Sequence, residues 1–399
     1  MKWLIPENDL EREQRAFLES ITTSRSNHLL NGFPGSGKSI CLLYAVLWIK
    51  RKYPNAKILF VEFNHTLRKM IKAALAELQY QNTEVVTMYE FINHYCQCSY
   101  DYIICDEVQD IPAKVISVMN RTAKIVIVGG DRNQSIYTED PKWSFPPATP
   151  AELIAALSPV QTTLTNIGLT IIHRLGKYVV EAINRVVPGL NIMAEKISMI
   201  KKHIKPNVWE CLNTEDEVEK ILAEARAAVN IGESVGILFP SHYNMHIFFN
   251  IMLRQNGTPA FQIESRDYYN ANKYLTQNNI PVEIVLNGQG DINSRKIQFM
   301  TYHGSKGVDF DKVYMPFCEM YQHPKAGDVH NPTLFMVAMT RSRKDLTLSF
   351  SYNMHEFLEK FATDGSISVY TNFKEPEQPN SDKEKSEDQK NDNQFEIDW

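Results

Sequence analysis

Through most of the chain, short runs of β-branched and aliphatic residues alternate with stretches of helical periodicity. The runs occupy 57–62, 102–106, 124–129, 235–239, 297–301, 312–315 and 346–351. They are apolar throughout rather than at every second position, so they predict strands covered on both faces. Their alternation with helices predicts an α/β protein with mostly parallel sheets. A proline cluster, Pro141, Pro146, Pro147, Pro150 and Pro159, breaks the alternation and puts a boundary between two α/β domains at about residue 160. The expected units are therefore 1–160 and 161–373. In the second, Thr214 with Glu217 three residues on, ahead of a helical stretch to Ala228, reads as a capping box. No internal repeat at a solenoid period is present. From Lys374 onward Glu, Asp, Lys, Gln, Asn, Ser and Pro dominate, which is the composition of a disordered tail.

Composition narrows the class. A chain of 399 residues, 43% apolar, can bury two cores. Its longest apolar stretches, such as 40–49, are too short to span a bilayer, and no basic-then-apolar leader opens it, so the expectation is a soluble cytoplasmic protein without a membrane partner. Six cysteines, with Cys96 and Cys98 the only close pair, make neither a disulfide frame nor a zinc site. Nine acidic residues and four lysines in the tail account for the whole net charge of −5. The preceding chain is neutral, so any nucleic-acid site must be a local groove.

Candidate chemistry begins at Gly32-Phe33-Pro34-Gly35-Ser36-Gly37-Lys38-Ser39, between the apolar pair Leu29-Leu30 and a helical run to Trp48. That is the strand, loop and helix order of a P-loop. Its glycines let backbone N–H groups close around β- and γ-phosphates, the helix N-terminus adds partial positive charge, Lys38 reaches the phosphates and Ser39 can ligate Mg²⁺. Asp106 follows an apolar run, at the strand end where a Mg²⁺-holding group would meet a P-loop on a neighbouring strand. Glu107, one position on, is suited to accept a proton from the attacking water. The blander readings, a Gly-rich turn with a surface lysine and a solvated acidic loop end, lose weight because the two patterns occur together.

With Gly130-Asp131-Arg132-Asn133-Gln134-Ser135-Ile136-Tyr137 added, the chain resembles the UvrD/Rep-like branch of superfamily 1 helicases. The family's motifs occur in order: Glu13-Gln14, the P-loop, Phe63-Asn64, Thr87 to Phe91, Asp106 to Asp110, the Gln134 segment, His173-Arg174, Thr301 to Phe310 and Val337 to Arg341. The resemblance implies two RecA-like P-loop domains, reduced to the motor core, with ATP and Mg²⁺ between them. It implies Gln14 at the adenine edge, His173 in place of a tyrosine stacked on adenine, and Gln134 at the γ-phosphate or its attacking water. Arg174 and Arg341 become arginine fingers from the second domain. Gly307 belongs to the nucleotide site, and Asp309, one methylene shorter than the family's glutamate, to the ribose hydroxyl. Phe63, Asn64, Thr87, Phe91, Tyr137 and His303 match positions that line a groove for single-stranded DNA.

Two departures bear on function. Lys38 and Asp106 are 68 positions apart, and Arg174 and His303 are 129, too close to hold the large accessory subdomains of full helicases. A small embellishment is expected at 258–290. The family's stacking tryptophan is also displaced: Tyr137 is followed by Thr138-Glu139-Asp140, and Trp143 or Phe145 either substitutes as a base platform or packs on the proline-rich connector. In the tail, Phe395, Ile397 and Trp399 alternate with acids, as an anchor for a partner protein, a fold-back onto the motor groove, or an inert end. The functional expectation is an ATP-dependent translocase on single-stranded DNA. The alternative is an ATP-driven switch or sensor subunit of a larger complex, genome defence being one setting, without autonomous unwinding. A P-loop kinase of small metabolites would not need Gln134, Arg174 and Arg341 in this order.

Overall fold

The computed structural model describes residues 4–136, 146–158, 163–190, 192, 197, 204–286, 288–292, 295–319, 331–362 and 368–371. The tail with Phe395, Ile397 and Trp399, and the residues Tyr137, Trp143 and Phe145, lie outside the described residues.

Two sheets organise the chain. The first contains β1 (Asn27–Gly32), β2 (Ile58–Glu62), β3 (Glu84–Thr87), β4 (Tyr100–Cys105), β5 (Ala123–Gly130) and β6 (Leu164–Leu169), in the order β3-β2-β4-β5-β1-β6. The second contains β7 (Asn207–Glu210), β8 (Val235–Phe239), β9 (Val282–Ile284), β10 (Ile297–Thr301), β11 (Phe310–Met315), β12 (Ser342–Phe350) and β13 (Ser368–Thr371), in the order β13-β7-β12-β11-β8-β10-β9. Every ladder between these strands is parallel. The helices are α1 (Arg12–Thr23), α2 (Lys38–Lys52), α3 (His65–Glu77), the single turn α4 (Met88–Glu90), α5 (Ala113–Thr122), α6 (Pro150–Leu157), α7 (Lys177–Val186), α8 (Thr214–Asn230), α9 (His242–Gln255), α10 (Tyr268–Gln277), α11 (Pro332–Met339) and α12 (Glu356–Ala362). The fold is two RecA-like α/β bodies.

Burial on both faces explains the apolar runs: β2, β8 and β10 are buried at every position. Side chains still alternate between two separate cores. On β2, Phe60 joins the core around α1 and α2, while Leu59 and Val61 join the one around α5. Ile104 of β4 likewise faces α2, and Ile103 and Cys105 face α5. That alternation decides which way the residues at the strand ends point.

Three expectations change. The boundary placed at about residue 160 falls ahead of β6, which pairs with β1 from Asn27↔Leu164 to Gly32↔Leu169. The first sheet therefore extends to Leu169, because β1 would otherwise present an open edge. The expected embellishment at 258–290 is largely integral, since Tyr268, Ala271, Leu275, Val282 and Ile284 enter the second core and β9 forms a sheet edge. Finally, Asn213 caps α8, its Oδ1 accepting from the Asp216 N–H at 2.9 Å, and the Thr214–Glu217 box does not form.

Glu217 instead turns inward, fully buried. Its Oε1 accepts from the Phe317 N–H at 2.9 Å and the Ser349 hydroxyl at 2.6 Å, and its Oε2 from the Ser351 hydroxyl at 2.6 Å. Burial nonetheless pushes the carboxyl up from 4.5 to about 7. Between those values the folded chain holds a proton that the unfolded chain has released, so this group's contribution to stability falls as pH rises through the window. Glu217→Gln removes that component. The midpoint of thermal unfolding of the variant, minus that of the wild type, should increase from pH 4.5 to about 7 and then level off. A difference independent of pH would contradict the assignment.

Candidate nucleotide site at the seam of the two sheets

The turn from β1 into α2 is built on two glycines in the left-handed region, Gly35 at φ 77° and Gly37 at φ 91°. At both, a side chain would also collide with a neighbour: with Arg174 Cβ at Gly35 and with Gln14 Nε2 at Gly37. Lys38 is buried, its Nζ donating to the carbonyls of Gly32 at 2.8 Å and Phe33 at 3.2 Å. The Ser36 hydroxyl is buried with no hydrogen-bonding partner. A loop whose N–H groups, lysine and orphan hydroxyl converge at a helix N-terminus fits a phosphate chain. Pro34 is buried, and Phe33 packs against the core of the second body.

Gln14 and His173 brace this loop from outside. Gln14 accepts from the Glu11 N–H at 2.9 Å and donates to the Ser36 carbonyl at 3.1 Å, so its amide is engaged by the loop itself. Glu13 beside it accepts from the Thr170 N–H at 2.7 Å and the Thr170 hydroxyl at 2.6 Å. The His173 N–H donates to the Gly35 carbonyl at 2.9 Å, and burial lowers the pKa of its ring, favouring neutral imidazole.

The carboxylates stand at the ends of the neighbouring strands. Asp106 follows β4, is buried, and hydrogen-bonds the Ser39 hydroxyl and, at 2.8 Å, the Glu107 N–H. Burial first, and the Glu107 charge second, push it up to about 6. The paired oxygen donors of Ser39 and Asp106 suit a hard cation such as Mg²⁺. Among the described residues no three His, Cys, Asp or Glu side chains gather on one point. Glu107 sits in the left-handed region at φ 51°, ψ 40°, an arrangement unusual outside glycine and enriched at functional sites. Burial raises its pKa, but Lys306, Lys38, the Gln109 amide and Arg341 outweigh that and leave it below the ordinary value.

Residues of the second body complete the seam. Lys306, following β10, forms a buried ion pair with Asp110 and donates to the Gln134 carbonyl at 2.6 Å. Burial pushes Asp110 up to about 7 against the pull of Lys306. Arg341 is fully buried; its Nη2 donates to Gln134 Oε1 at 3.2 Å and to the Thr340 hydroxyl at 2.6 Å, and its Nε to the Val337 carbonyl at 2.8 Å. Gln134 also donates to Asp131 at 3.0 Å, and Gln109 bridges Glu107 to the Asp131 N–H. Burial and then the Arg174 charge bring the Arg341 pKa down to about 9.

Several expected placements need correction. Arg174 follows β6 and packs on the P-loop, while its neighbours Ile172 and Leu175 enter the core of the second body; it pairs with Asp309 there at 2.8 Å. Asp309 is engaged by Arg174 and by Arg343 at 3.3 Å. Gly307, at φ 82°, lies against Leu67 of α3, where any side chain would collide. Phe91 is wholly buried and Phe63 nearly so, both in the α5-side core, so neither ring offers a face to a base. Asn64 caps α3 by accepting from the Leu67 N–H at 2.9 Å, and Thr87 caps α4 by accepting from the Glu90 N–H at 3.2 Å. His303 is exposed, and Tyr89, not expected, is 54% exposed on the Thr87 turn. Sequence reasoning also assigned no role to Gln109, Asp110 or Lys306, although each lies inside a motif. The available signal was a charged or amide residue within a strand-end motif whose neighbours already had roles.

Two parallel sheets sharing a seam that carries a P-loop, a strand-end Asp-Glu pair and a cross-body arginine define a tandem RecA-like nucleotide-site architecture. A family model described as an AAA domain matches residues 14–140, and one described as the UvrD-like helicase C-terminal domain matches residues 278–353. The second match agrees with the resemblance to UvrD/Rep-like superfamily 1 helicases that the ordered motifs carry. Solved structures are similar as well, among them the C-terminal domain of a possible DNA helicase from Lactobacillus plantarum WCFS1, at 13% identity and a TM-score of 0.33, covering 49% of this chain and 98% of that one. That likeness carries no argument here; the similarity rests on the two family models. No curated protein matches the chain. Among the described residues no helix is long and apolar enough to cross a membrane.

The Lys306–Asp110 pair has side-chain exposures of 1% and 0%, so removing one partner strands a charge out of water. Lys306→Ala should destabilise the protein by ~3–5 kcal/mol in urea denaturation at about pH 8, and Asp110→Asn in the same chain should recover most of the loss. A cost under about 1 kcal/mol, the range of an exposed pair, would show the seam to be solvated.

Proposed function

We propose that the chain is an ATP-hydrolysing helicase-type motor that binds ATP with Mg²⁺ at the seam and acts on single-stranded nucleic acid, DNA being the substrate of the family it resembles. The observation that carries this reading is the Gln134–Arg341 contact, which joins a strand-end glutamine of the P-loop body to a buried arginine of the other. Lys38 and the loop N–H groups would hold the phosphates, and Ser39 with Asp106 would hold Mg²⁺, which when bound neutralises phosphate charge. Glu107, kept ionised by Lys306 and Lys38, would accept the proton of the attacking water. Gln134 would orient that water, and Arg341 would stabilise charge on the transferred group. Arg174 would do the same on leaving Asp309, so its ion pair would have to open as nucleotide enters. The two bodies divide, on this reading, between Leu169 and β7. His303 and Tyr89 supply the exposed rings for a strand groove, and the short spacing between motifs favours translocation or switching over autonomous unwinding.

In a steady-state ATPase assay, Lys38→Ala should abolish Mg²⁺-dependent turnover, and Arg341→Ala should lower it by ~10³–10⁵-fold. Glu107→Gln should still bind ATP while turnover stops. Wild-type-like turnover in Lys38→Ala would remove the site assignment. Single-stranded DNA should raise the wild-type rate; if saturating DNA and RNA at low salt both leave it unchanged, the nucleotide-driven switch replaces the motor.

A further inference from the structure

Strand alternation brings a second carboxyl to the phosphate site, one that no role above uses. Glu62 is the last residue of β2. Val61 pairs with Cys105, which sets Glu62 beside Asp106, and the alternation along both strands turns the two side chains to the face covered by α2. Glu62 is wholly buried, and no side chain hydrogen-bonds either of its oxygens. Burial and then the charges of Asp106 and Glu107 push its carboxyl well above the ordinary range, with only the Phe63 N–H pulling the other way.

Packing does not account for such a residue. Glu217 is equally buried, but serine hydroxyls and a backbone N–H satisfy its oxygens. Glu62 has no such set, and an apolar side chain would fill its site without the desolvation penalty. Its carboxyl shares the strand-end face with Asp106, where the strongest donors that a nucleotide would bring are the waters of a hydrated divalent cation. Mg²⁺ dehydrates reluctantly and keeps several of its waters, so a further carboxyl beside the ion meets its water shell.

We propose that Glu62 is a positioning residue that accepts hydrogen bonds from the water shell of a Mg²⁺ ion held by Ser39, Asp106 and the nucleotide phosphates. This rests on the nucleotide reading of the site. Outer-shell partners of this kind orient the ion, and their loss weakens metal binding by ~10–100-fold.

The test titrates Mg²⁺ into full-length wild type, Glu62→Gln and Glu62→Thr, each with a fluorescent non-hydrolysable ATP analogue, and repeats the analogue titration in EDTA. The expected result is metal affinity ~10–100-fold weaker in both variants, with analogue affinity in EDTA and the midpoint of thermal unfolding retained. Unchanged metal dependence in a folded variant overturns the proposal. Equal losses with and without metal overturn it too, as does failure of both variants to fold, which would assign the carboxyl to the structure of β2. If the wild type binds no analogue under any condition, the nucleotide reading itself falls and takes the role of Glu62 with it. That result is distinct from a wild type that binds and variants that match it.

Discussion

Four carboxylates, Glu62, Asp106, Glu107 and Asp110, are out of water at the seam between the two sheets. Glu62, pushed well above the ordinary range, stays protonated, and the charge on the others is tolerable in a low-dielectric site only where cations are brought to it. Lys38 comes from the first body, while Lys306 and Arg341 come from the second and are themselves almost wholly buried. Neither body can therefore bury its half of the seam alone without leaving charge unpaired. The association of the two sheets and the electrostatics of the site are one constraint, and a change of charge at the P-loop bears directly on how the bodies hold together.

That coupling gives mechanical meaning to contacts that look redundant. Lys306 grips Asp110 and the Gln134 carbonyl, Arg341 grips the Gln134 amide, and Arg174 spans from the P-loop to Asp309. A second set lies away from the phosphates, where Lys69 of α3 donates to the carbonyls of Gly288 and Gly290 at 3.1 Å each and Leu67 fills the space over Gly307. On the proposed reading, phosphates would bring negative charge to Lys38 and Arg341, and Mg²⁺ would bring positive charge to Asp106. Each would redistribute the cations shared with Glu107 and Asp110, and thereby shift the balance of contacts between the bodies.

Much of the fold was legible in the sequence because its central strands are buried on both faces and announce themselves as apolar runs; 235–239 and 297–301 coincide with β8 and β10. Edge strands were not legible. β6 is fully buried only at Leu169, and its membership of the first sheet follows from a long-range ladder to β1 that local pattern does not encode. Glu217 read as a surface capping partner because its spacing fits, whereas its acceptors' partners, Ser349 and Ser351, are over a hundred residues away. At the site, motif order led to Lys38, Ser39, Asp106 and Arg341, and the structure brings these to one seam. Phe63 and Phe91 carried no sign that they would turn into the core. The ion pairs of Arg174 with Asp309 and of Lys306 with Asp110 depend on the docking of two bodies, which spacing along one chain does not reveal.

The central claim is that charge exchange at the phosphate loop and the docking of the two bodies are the same event. It is tested most directly by determining the structure of the full-length protein with Mg²⁺, ADP and aluminium fluoride. The account predicts one nucleotide at the loop following β1, with Lys38 and Arg341 both on the fluoride, Asp106 on the metal, and Arg174 released from Asp309. A nucleotide bound at the loop with Arg341 still spent on Gln134 and Val337, and the seam otherwise unaltered, would contradict it.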